Sequence, residues 1–181
     1  MRTTRQAVSL ACVCLTVTGC IGPMNISSVR ADFSHVTATA NGLTPTDDGT
    51  AFGIEVARGK DTDTAFGPIW FGFAYSFAEL NTPGFDDTTE HRAGTRWRSS
   101  LLESNTSSYP YAMVGVYLSW LELGNRPKGK FGAGVEGGYG LRIGMGRRAA
   151  LDIEALAGAG WSEGHFETFS ARLGGALVVR F

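Results

Sequence analysis

The chain closes on Phe169-Ser-Ala-Arg-Leu-Gly-Gly-Ala-Leu-Val-Val-Arg-Phe181, and the reading of this stretch decides the fold. Every second residue from Phe169 gives Phe169, Ala171, Leu173, Gly175, Leu177, Val179 and Phe181, an apolar series that ends on an aromatic. Between them lie Ser170, Arg172, Gly174, Ala176, Val178 and Arg180, small residues and two arginines. Successive side chains leave a strand on opposite sides, so a period of two marks a strand with two unlike faces.

The same alternation recurs upstream. Pro68–Phe77 sets Ile69, Phe71, Phe73, Tyr75 and Phe77 against Trp70, Gly72, Ala74 and Ser76. Pro110–Leu121 sets Ala112, Val114, Val116, Leu118 and Trp120 against Tyr111, Met113, Gly115, Tyr117 and Ser119. Further strands are expected over about Asp32–Asn41, Thr50–Arg58, His91–Leu102, Lys130–Ile143 and Ala149–Ala157. Leu43–Gly49, with Thr-Pro-Thr-Asp-Asp-Gly inside it, reads as loop chemistry. Ala78–Glu90 reads as the longest loop, acidic and predicted to lie outside. Gly59–Thr64, Glu103–Ser108, Gly124–Gly129, Met145–Arg148 and Gly158–His165 read as turns or loops.

About eight strands of roughly 9–11 residues are the minimum for a transmembrane barrel, and their number is even, as single-chain bacterial barrels require. The expected fold is all-β, a closed antiparallel up-and-down transmembrane β-barrel. A soluble barrel also alternates, so the chemistry of the polar face decides. A wet strand surface carries many charged and hydroxyl residues. Here that face is Gly, Ala and Ser with isolated charges, which suits the crowded interior of a small closed barrel. The apolar face is broad and carries Tyr75, Phe77, Trp120 and Phe131, as an interfacial girdle does.

The N-terminus is organised differently. Met-Arg-Thr-Thr-Arg precedes an uncharged, mostly apolar run from Gln6 to Thr18, too short for a membrane helix and ordered like a secretory signal. It closes on Val17-Thr18-Gly19-Cys20, which resembles the bacterial lipobox. That resemblance implies a signal peptide over 1–19 and lipidation of Cys20; residues 20–30 then read as a tether and the alternating strands as a barrel domain over 31–181. Ile21 and Gly22, in place of Asp, imply sorting to the outer membrane. Cys12 and Cys14 fall inside the signal, so only Cys20 survives and an intrachain disulfide is excluded. Loss of Arg2 and Arg5 with the signal leaves 14 basic residues against 17 acidic, a balance that argues against a nucleic-acid partner.

In pattern, the mature chain resembles the small OmpA/OmpX-type outer-membrane β-barrel family. The resemblance implies outer-membrane lipid as the surroundings, with the barrel-assembly machinery and lipoprotein-processing enzymes as partners during biogenesis. It makes Phe181 part of the assembly signal. The lipobox departs from most of that family. An even strand count accommodates it, because both termini then face the periplasm and the lipid anchor meets the inner leaflet.

The candidate lumen network joins Glu55, Glu136, Asp152 and Glu154 to Arg98, Arg142, Arg172 and Arg180. Buried charges are tolerated only when paired, so the expected role is a salt-bridge plug. Eight strands leave room for side chains and hardly for an aqueous channel, so porin activity is not expected. His35, His91 and His165 lack the His-x-Ser pattern of outer-membrane lipid A deacylases. Asp47, Asp48, Glu79, Asp86, Asp87 and Glu90 make two loops acidic without EF-hand spacing, and Gly132–Gly146 lacks a phosphate-loop Gly-Lys-Ser/Thr. No metal, cofactor or catalytic residue is expected. The resulting function is a non-enzymatic, envelope-structural or surface-interaction role. A soluble periplasmic lipid-binding barrel lipoprotein and a lipid A-modifying enzyme are the alternatives.

Overall fold

The computed structural model describes residues 26–40, 43–60, 69–81, 88–102, 108–122, 129–162 and 166–181. They form eight strands: β1 (Ile26–Ala40), β2 (Leu43–Lys60), β3 (Ile69–Asn81), β4 (Thr88–Ser100), β5 (Tyr109–Glu122), β6 (Lys130–Gly144), β7 (Ala149–Ser162) and β8 (Phe166–Arg180). Each pairs with its chain neighbour, and β8 returns antiparallel to β1, so the sheet closes into a barrel without a free edge. In the closing register Val29 faces Val179 and Phe33 faces Gly175. Up-and-down order with an even strand number brings both termini to one end. The β1–β2, β3–β4, β5–β6 and β7–β8 connections lie at the far end.

The two faces separate as the alternation requires. Phe33, Ile54, Val114, Leu118, Tyr139 and Leu173 point outward and are between 52% and 68% exposed. Glu55, Arg98, Glu136, Arg142, Asp152, Glu154 and Arg172 point inward and are buried. This is the reverse of a water-soluble barrel.

Toward the far end the polarity of the wall inverts. Below it, β3 alternates Phe73, Tyr75 and Phe77 outward with Ala74 and Ser76 inward. Above, Glu79 and Asn81 are outward and exposed while Ala78 and Leu80 are inward and buried. β2 does the same, with Asp48 and Thr50 outward and Gly49 and Ala51 inward. Val36, Ala51, Ala78 and Leu80, with Leu121 packed against them, form an apolar plug across this end of the lumen. A second cluster of Trp70, Tyr109, Tyr111, Met113 and Leu156 packs inside toward the termini end. The charged side chains start at the level of this second cluster, where Trp70 pairs across the sheet with Arg98 and Tyr109 with Arg142, and continue toward the far-end plug.

This inversion corrects several loop assignments. Leu43–Gly49 belongs to β2, and its backbone pairs with β1 from Ala40↔Leu43 and Ala38↔Asp47 to Val36↔Gly49. The register shift between Ala38 and Ala40 takes up Thr44-Pro45-Thr46, and a bulge is where a residue without an N–H is tolerated in a sheet. Ala78–Asn81 and Thr88–Glu90 belong to β3 and β4, so the long Ala78–Glu90 loop shrinks to residues 82–87. Gly158–Ser162 belongs to β7. The connections at the far end are therefore no longer than those at the termini end, and loop length does not orient this barrel. β1 starts at Ile26, so residues 26–30 of the expected 20–30 tether are barrel wall. The signal over 1–19 and Cys20 lie outside the described residues.

One turn needs a glycine. Gly146, at φ 100°, lets Met145–Arg148 reverse the chain between β6 and β7, with the Met145 amide donating to the Ala149 carbonyl at 2.9 Å.

Candidate functional site

Chemistry is concentrated inside the barrel. On the termini side, Arg142 grips Asp152 with two parallel hydrogen bonds, Nε to Oδ1 and Nη2 to Oδ2, both 2.7 Å. Its guanidinium lies 4.9 Å from the Trp70 ring centroid, Trp70 stacks on Tyr109, and Nη1 donates to the Tyr109 hydroxyl at 3.2 Å. Arg30 donates from Nη1 to Asp152 Oδ2 at 2.6 Å and from Nη2 to Glu154. Glu154 also accepts from Arg98 Nε at 3.1 Å and from the Tyr111 hydroxyl at 2.5 Å. Arg98 closes the middle layer on Glu55 with two bonds, Nη2 to Oε2 at 2.9 Å and Nη1 to Oε1. Strands 1, 2, 4, 5, 6 and 7 are thereby cross-linked through the lumen.

Arg96 links this layer to the next. Its Nε donates to Glu136 at 2.6 Å, and its Nη1 lies 3.6 Å from both Glu55 and Asp32. Beneath the far-end plug, Arg92 pairs with Glu90 at 2.8 Å, stacks 4.4 Å over Tyr117 and reaches the Ser170 hydroxyl. Arg172 donates to Ser76 at 3.2 Å and lies 3.9 Å from Glu90.

Of the eight residues expected in the network, the geometry brings together Glu55, Arg98, Glu136, Arg142, Asp152, Glu154 and, more loosely, Arg172. Arg180 points inward but reaches no carboxylate among the described residues; its guanidinium lies 6.0 Å from the Trp70 ring. Arg30, Asp32, Glu90, Arg92, Arg96, Tyr111 and Tyr117 are members that sequence reading left out. Arg92 and Arg96 share strand parity with Arg98, which was signal enough to include them. Arg30 was hidden in the tether and Glu90 in the acidic loop. Of the other acidic-loop residues, Asp48 and Glu79 are exposed on the outer wall. Asp86 and Asp87 lie outside the described residues, and so does His165.

The other histidines sit on the outer wall. His91 Nδ1 and the Tyr75 hydroxyl share a hydrogen bond of 2.8 Å, and the His91 ring packs against Phe77. His35 is exposed beside Thr37 in a shallow groove with Gly137, Ala155, Ala157 and Ala171. Phe181 is 80% exposed at the end of the closing strand. Charged and aromatic side chains fill the interior beneath the far-end plug, so the described residues offer no apolar cavity of the kind a soluble lipid-binding barrel needs.

Two inward glycines give the tyrosines their places. A Cβ on Gly140 would run into the Tyr111 ring, and one on Gly134 into the Tyr117 ring. Gly140→Val is therefore expected to displace Tyr111 from Glu154 and to leave little heat-resistant folded protein on a detergent gel. Tyr111→Ala in the same chain removes the clash and restores part of the folded band. If Gly140→Val alone folds like the parent, Tyr111 does not occupy that place.

No protein-family model and no curated protein sequence matches the chain. Among solved structures it is similar to Neisserial surface protein A, with a TM-score of 0.68 and 15% identity over 86% of this chain and 97% of that one. It is also similar to the outer membrane enzyme PagL, with a TM-score of 0.50 and 11% identity over 82% of this chain and 98% of that one. These likenesses show the fold: a closed, eight-stranded antiparallel barrel matching those of outer-membrane proteins.

Proposed function

We propose that the protein is an outer-membrane barrel lipoprotein that spans the bilayer as a closed, non-conducting wall element and has no catalytic activity. The observation that carries this reading is the inverted barrel, with an apolar outer wall around a lumen filled by paired charges and closed at the far end by an apolar plug. A wall of this polarity is stable only where the solvent is hydrocarbon. The cross-linked lumen leaves solutes no path, so the role is structural, or one of surface interaction through the far-end rim. Lipidation of Cys20 belongs to the same proposal and would place an acyl anchor in the inner leaflet beside the termini. Assembly of the barrel would draw on Phe181, and maturation on the lipoprotein-processing enzymes.

The test is gel migration of the membrane-fraction protein in detergent, with and without heating. An inserted closed barrel is expected to need detergent for extraction and to migrate differently once boiled. Cys20→Ala behind a plain signal is expected to lose the lipid from its N-terminal peptide, as read by mass, and to remain in the membrane. Release of that variant into water, without a heat-dependent shift, would overturn the reading. A change in lipid A mass on expression, lost with His35→Ala, would overturn the non-enzymatic part.

A further inference from the structure

We propose that the barrel interior contains a binding site for a small inorganic anion, of chloride or nitrate size, bounded by Arg30, Arg96 and Arg172. Of the five buried side-chain polar atoms without a hydrogen-bond partner among the described residues, three are N–H donors on two of these arginines: Arg30 Nε, Arg172 Nε and Arg172 Nη2. Both arginines border one cavity of about 20 Å³, together with Arg96, Asp32, Ser34, Glu154 and Leu156. That volume accommodates a single small species, since roughly 10–15 Å³ by this measure suffices for one water.

The donor geometry identifies the class of ligand. Nε and Nη2 form the side-on fork of a guanidinium, and Arg142 uses that same fork to hold both oxygens of Asp152. Arg172 directs its remaining nitrogen, Nη1, at Ser76, which carries no charge. The carboxylate near it, Glu90, holds Arg92 at 2.8 Å through Oε1 and presents its other oxygen, Oε2, at 3.9 Å from Arg172 Nη2, beyond hydrogen-bond reach. Arg172 is only 5% exposed, and a guanidinium buried to that degree calls for a counter-charge within hydrogen-bond reach.

The carboxylates in the cavity wall are differently placed. Glu154 already accepts from Arg30, Arg98 and Tyr111, while Asp32 meets Arg96 and Arg30 only at 3.6 Å and 3.9 Å. Arg30 and Arg96 each also donate to a carboxylate outside this wall, Asp152 and Glu136, both at 2.6 Å, whereas Arg172 has no carboxylate within hydrogen-bond reach among the described residues. An anion accepts several N–H bonds and donates none, which is what the remaining donors require. The site depends on the lumen geometry and not on the proposed location or lipidation.

The experiment uses the full chain purified in detergent. The half-life of the folded gel band at a fixed high temperature is compared in sodium chloride and sodium gluconate at equal ionic strength. Chloride is expected to lengthen that half-life by about threefold or more, saturably, as a ligand of the native state does. Arg172→Gln is expected to abolish the difference. Equal half-lives of the parent in the two salts would overturn the site, as would an unchanged chloride effect in Arg172→Gln. Should that variant not fold, crystals of the parent soaked in bromide decide: anomalous density beside Arg172 Nε supports the anion, and a water-like peak without anomalous signal overturns it.

Discussion

Glu154→Gln will destabilise the barrel by about 3–5 kcal/mol, the range for removing one partner from a buried ion pair. Glu154 is 5% exposed and accepts from Arg30, Arg98 and the Tyr111 hydroxyl. Glutamine keeps the volume and one acceptor oxygen, so the change isolates charge. Two guanidinium groups then remain in a low-dielectric interior with Asp152 and Glu55 as their close compensation. Urea unfolding of the refolded protein in lipid vesicles reads the loss. Adding Arg98→Met removes the stranded charge and is expected to recover part of it, because the two sites share one network. A loss below ~1 kcal/mol would mean that water enters the lumen and screens the network.

Val116→Arg is the second large effect. Val116 lies near the middle of β5, faces outward and is 47% exposed, so in water an arginine there would be unremarkable, within about 0.5 kcal/mol. At the midplane of a bilayer the same substitution costs about 2–4 kcal/mol. Asp48→Arg is the matched control, since Asp48 stands on the outer wall beyond the apolar belt and should tolerate the change. Vesicle unfolding of the two variants side by side places the bilayer on the barrel. If Val116→Arg is as stable as Asp48→Arg, the apolar wall is not facing lipid.

The middle of each strand was legible in the sequence because there the period of two coincides with one sign of polarity. Phe71, Phe73, Tyr75 and Phe77 announce an outward face without ambiguity. The strand ends were not legible, and the inverted wall explains why. Where β2 and β3 pass beyond the apolar belt, alternation persists but its meaning reverses, as in Phe77-Ala78-Glu79-Leu80. The two patterns joined head to tail read as a break, so Leu43–Gly49 and Ala78–Asn81 look like loops in the sequence. The network was half legible for a related reason: Glu55, Asp152 and Glu154 stand in clean alternation, whereas Glu90 stands in the reversed stretch and Arg30 precedes the first strand expected from the sequence. Which charges touch was beyond one-dimensional reading. Arg30 and Glu154 are 124 residues apart, and only closure of β8 on β1 makes them neighbours.

That separation has a kinetic consequence. Before β1 meets β8 the chain is an open ribbon whose charged side still faces water, and its arginines and carboxylates are hydrated and screened. Docking the first strand against the last strips water from Arg30, Asp152 and Glu154 in a single event, late and non-local. Added salt, which favours the separated, hydrated charges, should therefore slow this final zipping while leaving the earlier hairpins untouched. The seam between β1 and β8 is thus the step of folding at which added salt is expected to act.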